Sequence, residues 1–254
     1  MQNETLSAAI RTQLDQLDSA YTFYYRERDG EPVRFSNRGP DFRFRTASII
    51  KVPIALSWFV LERGGALDRR EIAELDREAR VEGAGFACAL ATRAFPYADA
   101  LLHMLATSDN LCTNVVIEKI GMERLNQVWH ETFGLTGTCL GRKMMQPADP
   151  GSGRDNWTIS ADLEKWYDAI DALPEDDWNE LRRLMSYCQD DSLFFRDFEI
   201  DPTGFYHKTG GLPGVVNDWG FSDGKRFFLI TNEVRSKSET RRIFGALGKS
   251  LLEN

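Results

Sequence analysis

Strand-like segments occupy only the two ends of this 254-residue chain, and that separation constrains the fold more than any other feature. Tyr21 to Arg26 and Val33 to Ser36 are rich in aromatic and β-branched residues and flank Asp29-Gly30, so they read as a hairpin. Near the other end, Gly204 to Lys208, Val215 to Ser222 and Arg226 to Thr231 read as three further strands. Apolar residues at Ala8, Ile10, Leu14 and Leu17 give a sparse helical pattern before the first strand, and Ser238 to Leu252 is an amphipathic helix after the last. Nearly everything between looks helical. The simplest packing is α+β: a five-stranded antiparallel sheet flanked by the N- and C-terminal helices, with an inserted all-helical lobe. The expected boundaries are 1–45 and 198–254 for the sheet lobe and 46–197 for the helical lobe, as one continuous domain.

Composition narrows the partners. At 42% hydrophobic and 28% charged, the chain can bury a sizeable core. A net charge of -8 and a pI near 5.1, with no basic stripe, argue against nucleic acid or an anionic membrane surface as partner. Cys88, Cys112, Cys139 and Cys188 share no close pairing and read as buried free thiols. His103, His130 and His207 lie in unrelated segments, so no metal site and no cofactor is expected. The amino terminus lacks a basic and then apolar leader, and no segment is long and apolar enough to span a bilayer. The expected location is cytoplasmic, or exported if a signal has been removed. A small molecule is the expected partner, with the oligomeric state open.

Three short words carry chemistry in a fixed order: Ser48-Ile49-Ile50-Lys51, Ser108-Asp109-Asn110 and Lys208-Thr209-Gly210. They supply a hydroxyl with an amine one helical turn away, a second hydroxyl beside an amide, and a second amine on a strand. The first word alone proves little, since Ser222-Asp223-Gly224-Lys225 repeats its spacing in what reads as a hairpin turn. The ordered triple is the signal. Ile49 to Leu61 is apolar on every face, which suits a buried helix begun by Ser48, and Pro53, beyond its first turn, implies that this turn is 3-10 or distorted. Each residue also has a plainer role: Ser48 as an N-cap, Asp109 or Asn110 as the cap of a helix starting near Leu111, and Lys208 as an exposed strand lysine. Lys51 inside an apolar run is harder to explain without function.

These words resemble the class A β-lactamase family and its penicillin-binding relatives. The likeness extends over Thr46 to Thr231 and includes Gly83-Ala84-Gly85 and Leu101-Leu102-His103-Met104-Leu105-Ala106-Thr107 before Ser108. It implies that Ser48 is the nucleophile, that Lys51 takes its proton, and that Ser108 passes a proton to the leaving group. It also implies that Asn110, Lys208, Thr209, Gly210 and Gly211 bind the substrate, with Lys208 and Thr209 on its carboxylate. The backbone N–H groups of Ser48 and Gly211 would form the oxyanion hole.

The chain departs from that family in two places. The family carries a glutamate two positions after an arginine of the Ω-loop, as the base that activates the deacylating water. Here Arg142-Lys143 is followed by Met144, while Arg154-Asp155-Asn156 still ends the loop, so Arg142 is expected to pair with Asp155. A thioether is no base, so β-lactam deacylation is expected to be slow; Asp149 or a water held by Asn110 are the alternative activators. Second, Val216-Asn217-Asp218-Trp219 stands where many β-lactamases place an arginine for the substrate carboxylate. Asp218 either repels an anion or turns away to pair with a lysine or arginine. The leading expectation is thus a serine hydrolase acting on a lactam, amide or ester. The alternatives are a covalent ligand-binding or sensor module of the same fold, and a cell-wall peptidase.

Overall fold

The computed structural model of the protein describes residues 2–147, 154–199 and 203–253. The chain divides into two compact units, residues 1–49 with 190–254, and residues 50–189.

The first unit is built on an antiparallel sheet of β1 (Ala20–Glu27), β2 (Val33–Ser36), β3 (Phe205–Leu212), β4 (Val215–Ser222) and β5 (Lys225–Asn232), in the order β2-β1-β5-β4-β3. Alternation explains its buried face. Phe23 and Tyr25 of β1 stand opposite Leu229 and Phe227 of β5, and all four belong to one core with Ile10, Leu14, Phe244 and Leu247. The last four come from α1 (Gln2–Leu14) and α8 (Lys237–Leu251), the helices laid against the sheet. Each such side chain stabilises the fold by roughly 1.5–3 kcal/mol relative to exposure. Ser236 caps α8 by accepting from the Glu239 amide.

Two elements differ from the sequence expectation by more than a residue or two. The expected helix at 8–17 runs from 2 to 14, and the strand expected to stop at Lys208 continues through Thr209, Gly210 and Gly211 to Leu212. Glycine disfavours strands by itself; here pairing of Gly210 with Asn217 and of Gly211 with Val216 overrides that preference. Leu193, Phe194 and Phe195 are buried in the sheet unit's core.

The second unit contains α2 (Lys51–Arg63), α3 (Tyr97–Ala106), α4 (Asn110–Ile120), α5 (Met122–Glu131), α6 (Ser160–Asp171) and α7 (Glu175–Met185). It also carries two short strand pairs, Ile72–Glu74 with Ala94–Pro96 and Cys139–Leu140 with Asn156–Thr158. Every residue of α2 from Lys51 to Phe59 is buried, as its all-round apolar pattern demands. A 3-10 turn, Ala47–Ile50, precedes α2, so Pro53 falls in the first turn, where its missing N–H costs no helical bond. Trp129 of α5 donates its indole N–H to the Ser57 hydroxyl at 2.9 Å, tying α5 to α2. Cys112 is buried, but Cys139 is exposed and Cys88 and Cys188 are half-buried, so the expectation of four buried thiols holds for one. Among the described residues, no helix is long and apolar enough to cross a membrane.

Candidate functional site

In the sheet unit, the segment carrying Ser48 is pinned by asparagines. Asn217 of β4 donates to the carbonyls of Arg45 (2.9 Å) and Thr46 (3.0 Å), while its own amide oxygen accepts from the Thr231 N–H of β5 (2.9 Å). Asn232 accepts from the Arg45 N–H at 2.8 Å. Ala47 then takes φ +47°, a left-handed backbone unusual for a residue with a Cβ, and the chain turns into the 3-10 segment holding Ser48. Gly210 of β3 lies directly against this turn. A Cβ there would meet Thr46 O at 2.9 Å, Ser48 N at 3.0 Å and Ile49 N at 3.1 Å. At Gly211, by contrast, a Cβ would meet none of the described residues within 4 Å.

Lys208 is buried, not the exposed strand lysine its isolated position suggests, and its ammonium donates to the Thr209 carbonyl at 3.1 Å. The Thr209 hydroxyl donates to Asp190 Oδ2 at 2.8 Å. Asp218, opposite Thr209, pairs among the described residues with a histidine and not with the expected lysine or arginine: its Oδ1 lies 3.0 Å from Nδ1 of His207. The reason is local. His207 lies two residues before Thr209 on the same strand face, and Gly220 opposite it leaves room for the side chain at its base, since a Cβ at 220 would come 2.7 Å from the His207 Cβ. The other ring nitrogen faces Asp191 at 3.2 Å. Burial pushes the Asp218 carboxyl above the ordinary carboxylate range, with His207 opposing.

In the helical unit, Lys51 at the start of α2 is fully buried. Its Nζ donates to the Ser108 carbonyl at 2.6 Å, the Asn110 amide oxygen at 3.0 Å and the Ser108 hydroxyl at 3.1 Å. Lys51, Ser108 and Asn110 are therefore brought together, with Ser108 in a left-handed conformation (φ +56°) that turns both its oxygens toward the amine. Asp109 N-caps α4, accepting from Cys112 N through Oδ1 (2.9 Å) and from Ala87 N through Oδ2 (2.7 Å). Gly85 makes room for it, since a Cβ there would fall 2.2 Å from Asp109 Oδ2. Asn110 is fixed from its other end, its Nδ2 donating to the Glu82 carbonyl at 2.9 Å. The Gly83-Ala84-Gly85 word thus serves to seat Asp109 and Asn110.

Arg142 and Asp155 pair at 2.7 Å. Met144 is buried, and Asn114 of α4 holds its backbone on both sides, accepting from Met144 N at 2.7 Å and donating to Met144 O at 3.1 Å. Asp149 lies outside the described residues, as do Pro150, Gly151 and Gly153 of the same loop. Among the described residues no group of three or more His, Cys, Asp or Glu side chains is placed to hold a metal ion. The roles of Asp190, Asn114, Asn217 and Asn232 are not marked in the sequence. No local pattern marks them, because each acts on a partner far along the chain. The second hairpin word behaves as expected: Ser222 Oγ accepts from the Gly224 and Lys225 amides in the turn between β4 and β5.

The model of the Beta-lactamase enzyme family matches residues 5–254. A beta-lactamase from Sphaerobacter thermophilus DSM 20745 superposes with a TM-score of 0.83 at 22% identity, covering 98% of this chain and 95% of that one. A mutant of PBP-A, solved as an acyl-enzyme complex with penicillin G, superposes with a TM-score of 0.79 at 22% identity, covering 97% and 94%. The chromosome-encoded beta-lactamase of Vibrio parahaemolyticus gives 0.79 at 19% identity, covering 98% of each chain. At such identities the likeness is one of fold. No curated protein matches the sequence significantly.

Proposed function

The chain belongs to the beta-lactamase enzyme family, and from that premise we propose that it is a serine hydrolase that forms an acyl-enzyme at Ser48 with a lactam, amide or ester and releases β-lactams slowly. The observation that carries this reading is the buried Lys51 amine, held on Ser108 and Asn110 by three hydrogen bonds. A lysine taken wholly out of water is costly, and its placement beside a second hydroxyl three residues after Ser48 suits proton transfer.

In this mechanism Lys51 first releases one of its three donated protons to solvent, giving up one of those hydrogen bonds, and the lone pair of the neutral amine then takes the proton from Ser48 as the serine oxygen bonds to the substrate carbonyl carbon. The carbonyl electrons move onto oxygen, where the N–H groups of Ser48 and Gly211 stabilise the charge. Collapse of the tetrahedral species expels the leaving nitrogen or oxygen, which receives its proton through the Ser108 hydroxyl, and the acyl group stays on Ser48 as an ester. Asn110 holds the substrate amide, and Lys208, Thr209 and Gly210 flank the acyl group. The PBP-A mutant caught with penicillin G supports acylation as the chemistry this fold performs.

Release needs an activated water. Met144 occupies the position of the family's glutamate, and its sulfur accepts no proton usefully. That residue also favours the second reading, a module that captures its ligand covalently without efficient turnover. Purified protein and Ser48→Ala, given ester substrates, a chromogenic cephalosporin and a serine-directed phosphonate, separate the two. Turnover lost in Ser48→Ala supports the hydrolase, labelling without turnover supports capture, and an unlabelled Ser48 overturns both.

A further inference from the structure

Thr209 has one hydroxyl proton to give, and the protein already uses it. That proton goes to Asp190 Oδ2 at 2.8 Å, and an ionised carboxylate offers only acceptors in return. Asp190 is not loosely placed. Its Oδ1 accepts from the Ser192 hydroxyl at 2.6 Å and from the Ser192 amide at 3.2 Å, and the next residue, Asp191, is fixed to His207 at 3.2 Å. Two consecutive aspartates are thereby fastened to His207 and Thr209, alternate residues of the same edge strand. Partial burial works against ionisation of Asp190, but the hydrogen bonds from Ser192 and Thr209 and the charge of Lys208 outweigh it and hold its carboxyl below the usual carboxylate range. The charge of Asp190 thus already interacts with the Lys208 ammonium that an anionic ligand would need.

We propose that Asp190 fills the anion-binding half of the site and so turns its preference toward acyl substrates that carry no carboxylate beside the scissile bond, neutral or amine-bearing esters and amides, with β-lactams acylated less readily. The proposal rests on the assignment of Lys208 and Thr209 as the substrate-binding pair. An incoming carboxylate meets a hydroxyl whose proton is committed and a fixed like charge next to it, whereas an uncharged group needs neither and an ammonium gains a partner in Asp190.

The test uses equilibrium binding, which does not require acylation. Phenylacetate and its neutral counterpart phenylacetamide are titrated by NMR against Ser48→Ala and against the same protein carrying Asp190→Asn or Asp190→Ala. Removing a partly screened like charge is expected to tighten phenylacetate about tenfold while phenylacetamide changes less than about twofold. Adding Lys208→Ala is expected to abolish the gain. Unchanged phenylacetate binding, no phenylacetate binding in any variant, or parallel changes for both ligands would overturn the proposal, since loss of a merely structural contact does not distinguish a carboxylate from an amide. Phosphonate labelling of proteins that retain Ser48 reports separately on the hydrolase. Labelled Ser48 with no charge discrimination removes only the role of Asp190, and charge discrimination without labelling removes only the hydrolase.

Discussion

Gly210 and Ser48 are in backbone contact: a Cβ at 210 would stand 3.0 Å from the Ser48 nitrogen, with Thr46 O at 2.9 Å on the same side. These neighbours are main-chain atoms of a segment pinned by Asn217 and Asn232, so they have little freedom to retreat. The glycine of the third word is required by the approach of one strand to the turn that presents the serine.

Gly210→Ala is therefore expected to lower stability by about 1–3 kcal/mol and to slow phosphonate labelling of Ser48 on the order of tenfold to a hundredfold. Gly211→Ala is the control. Its new methyl group meets none of the described residues and its N–H is retained, so both readouts are expected to stay near wild type. Urea unfolding and labelling rates check the pair, and equal effects at the two positions would contradict the contact.

Asn217→Ala removes three hydrogen bonds, two of them buried, and leaves the Arg45 and Thr46 carbonyls and the Thr231 amide without this partner. A loss of about 2–4 kcal/mol is expected, from unmet polar groups rather than lost apolar contact. Labelling of Ser48 should fall further than in a core variant of equal instability such as Leu229→Ala, because the turn bearing Ser48 loses its anchor. A matched rate in the two variants would show that Asn217 matters to the fold alone.

Much of this arrangement was legible in the sequence, and the parts that were not share a physical cause. The strands around Phe23, Tyr25, Phe227 and Leu229 announce themselves because their alternation is local and one face must be buried. The buried α2 is equally plain from its unbroken apolar run. The strand extension through Gly210 and Gly211 was hidden because register across β4, and not residue propensity, sets it. Asp190, Asn217 and the Asp218–His207 pair were hidden more deeply. Their roles come from partners that only folding brings together, such as Thr209 for Asp190 and Thr46 for Asn217.

The Asp218 carboxyl provides a pH prediction whose sign follows from burial. Its folded pKa is raised above the ordinary value of 3.8, so the folded protein holds this proton more tightly than the unfolded chain does. Its contribution to stability is thus greatest below that ordinary value and is lost progressively as pH rises toward the raised folded pKa. Asp218→Asn titrates nowhere in this range. Stability relative to that variant, measured by urea unfolding between about pH 4 and pH 7, is expected to fall with rising pH. A difference that is flat, or that grows with pH, would show that His207 governs the pair instead.

Met144→Glu tests the cause assigned to slow release. The backbone at 144 is held independently of its side chain: Arg142 pairs with Asp155, and Asn114 grips the Met144 backbone from both sides. A glutamate at this position should inherit that placement. Burying its carboxylate in place of a thioether is expected to cost about 1–3 kcal/mol of stability, since the site was shaped for an apolar side chain. In return the acyl-enzyme gains a base for water, an effect typically worth about a hundredfold or more. Intact-mass measurement after a pulse of penicillin reads the outcome. The adduct on the native protein should persist, and that on Met144→Glu should clear faster by about that factor. Equal lifetimes in a folded variant would mean that water reaches the acyl-enzyme by a route the 144 side chain does not control.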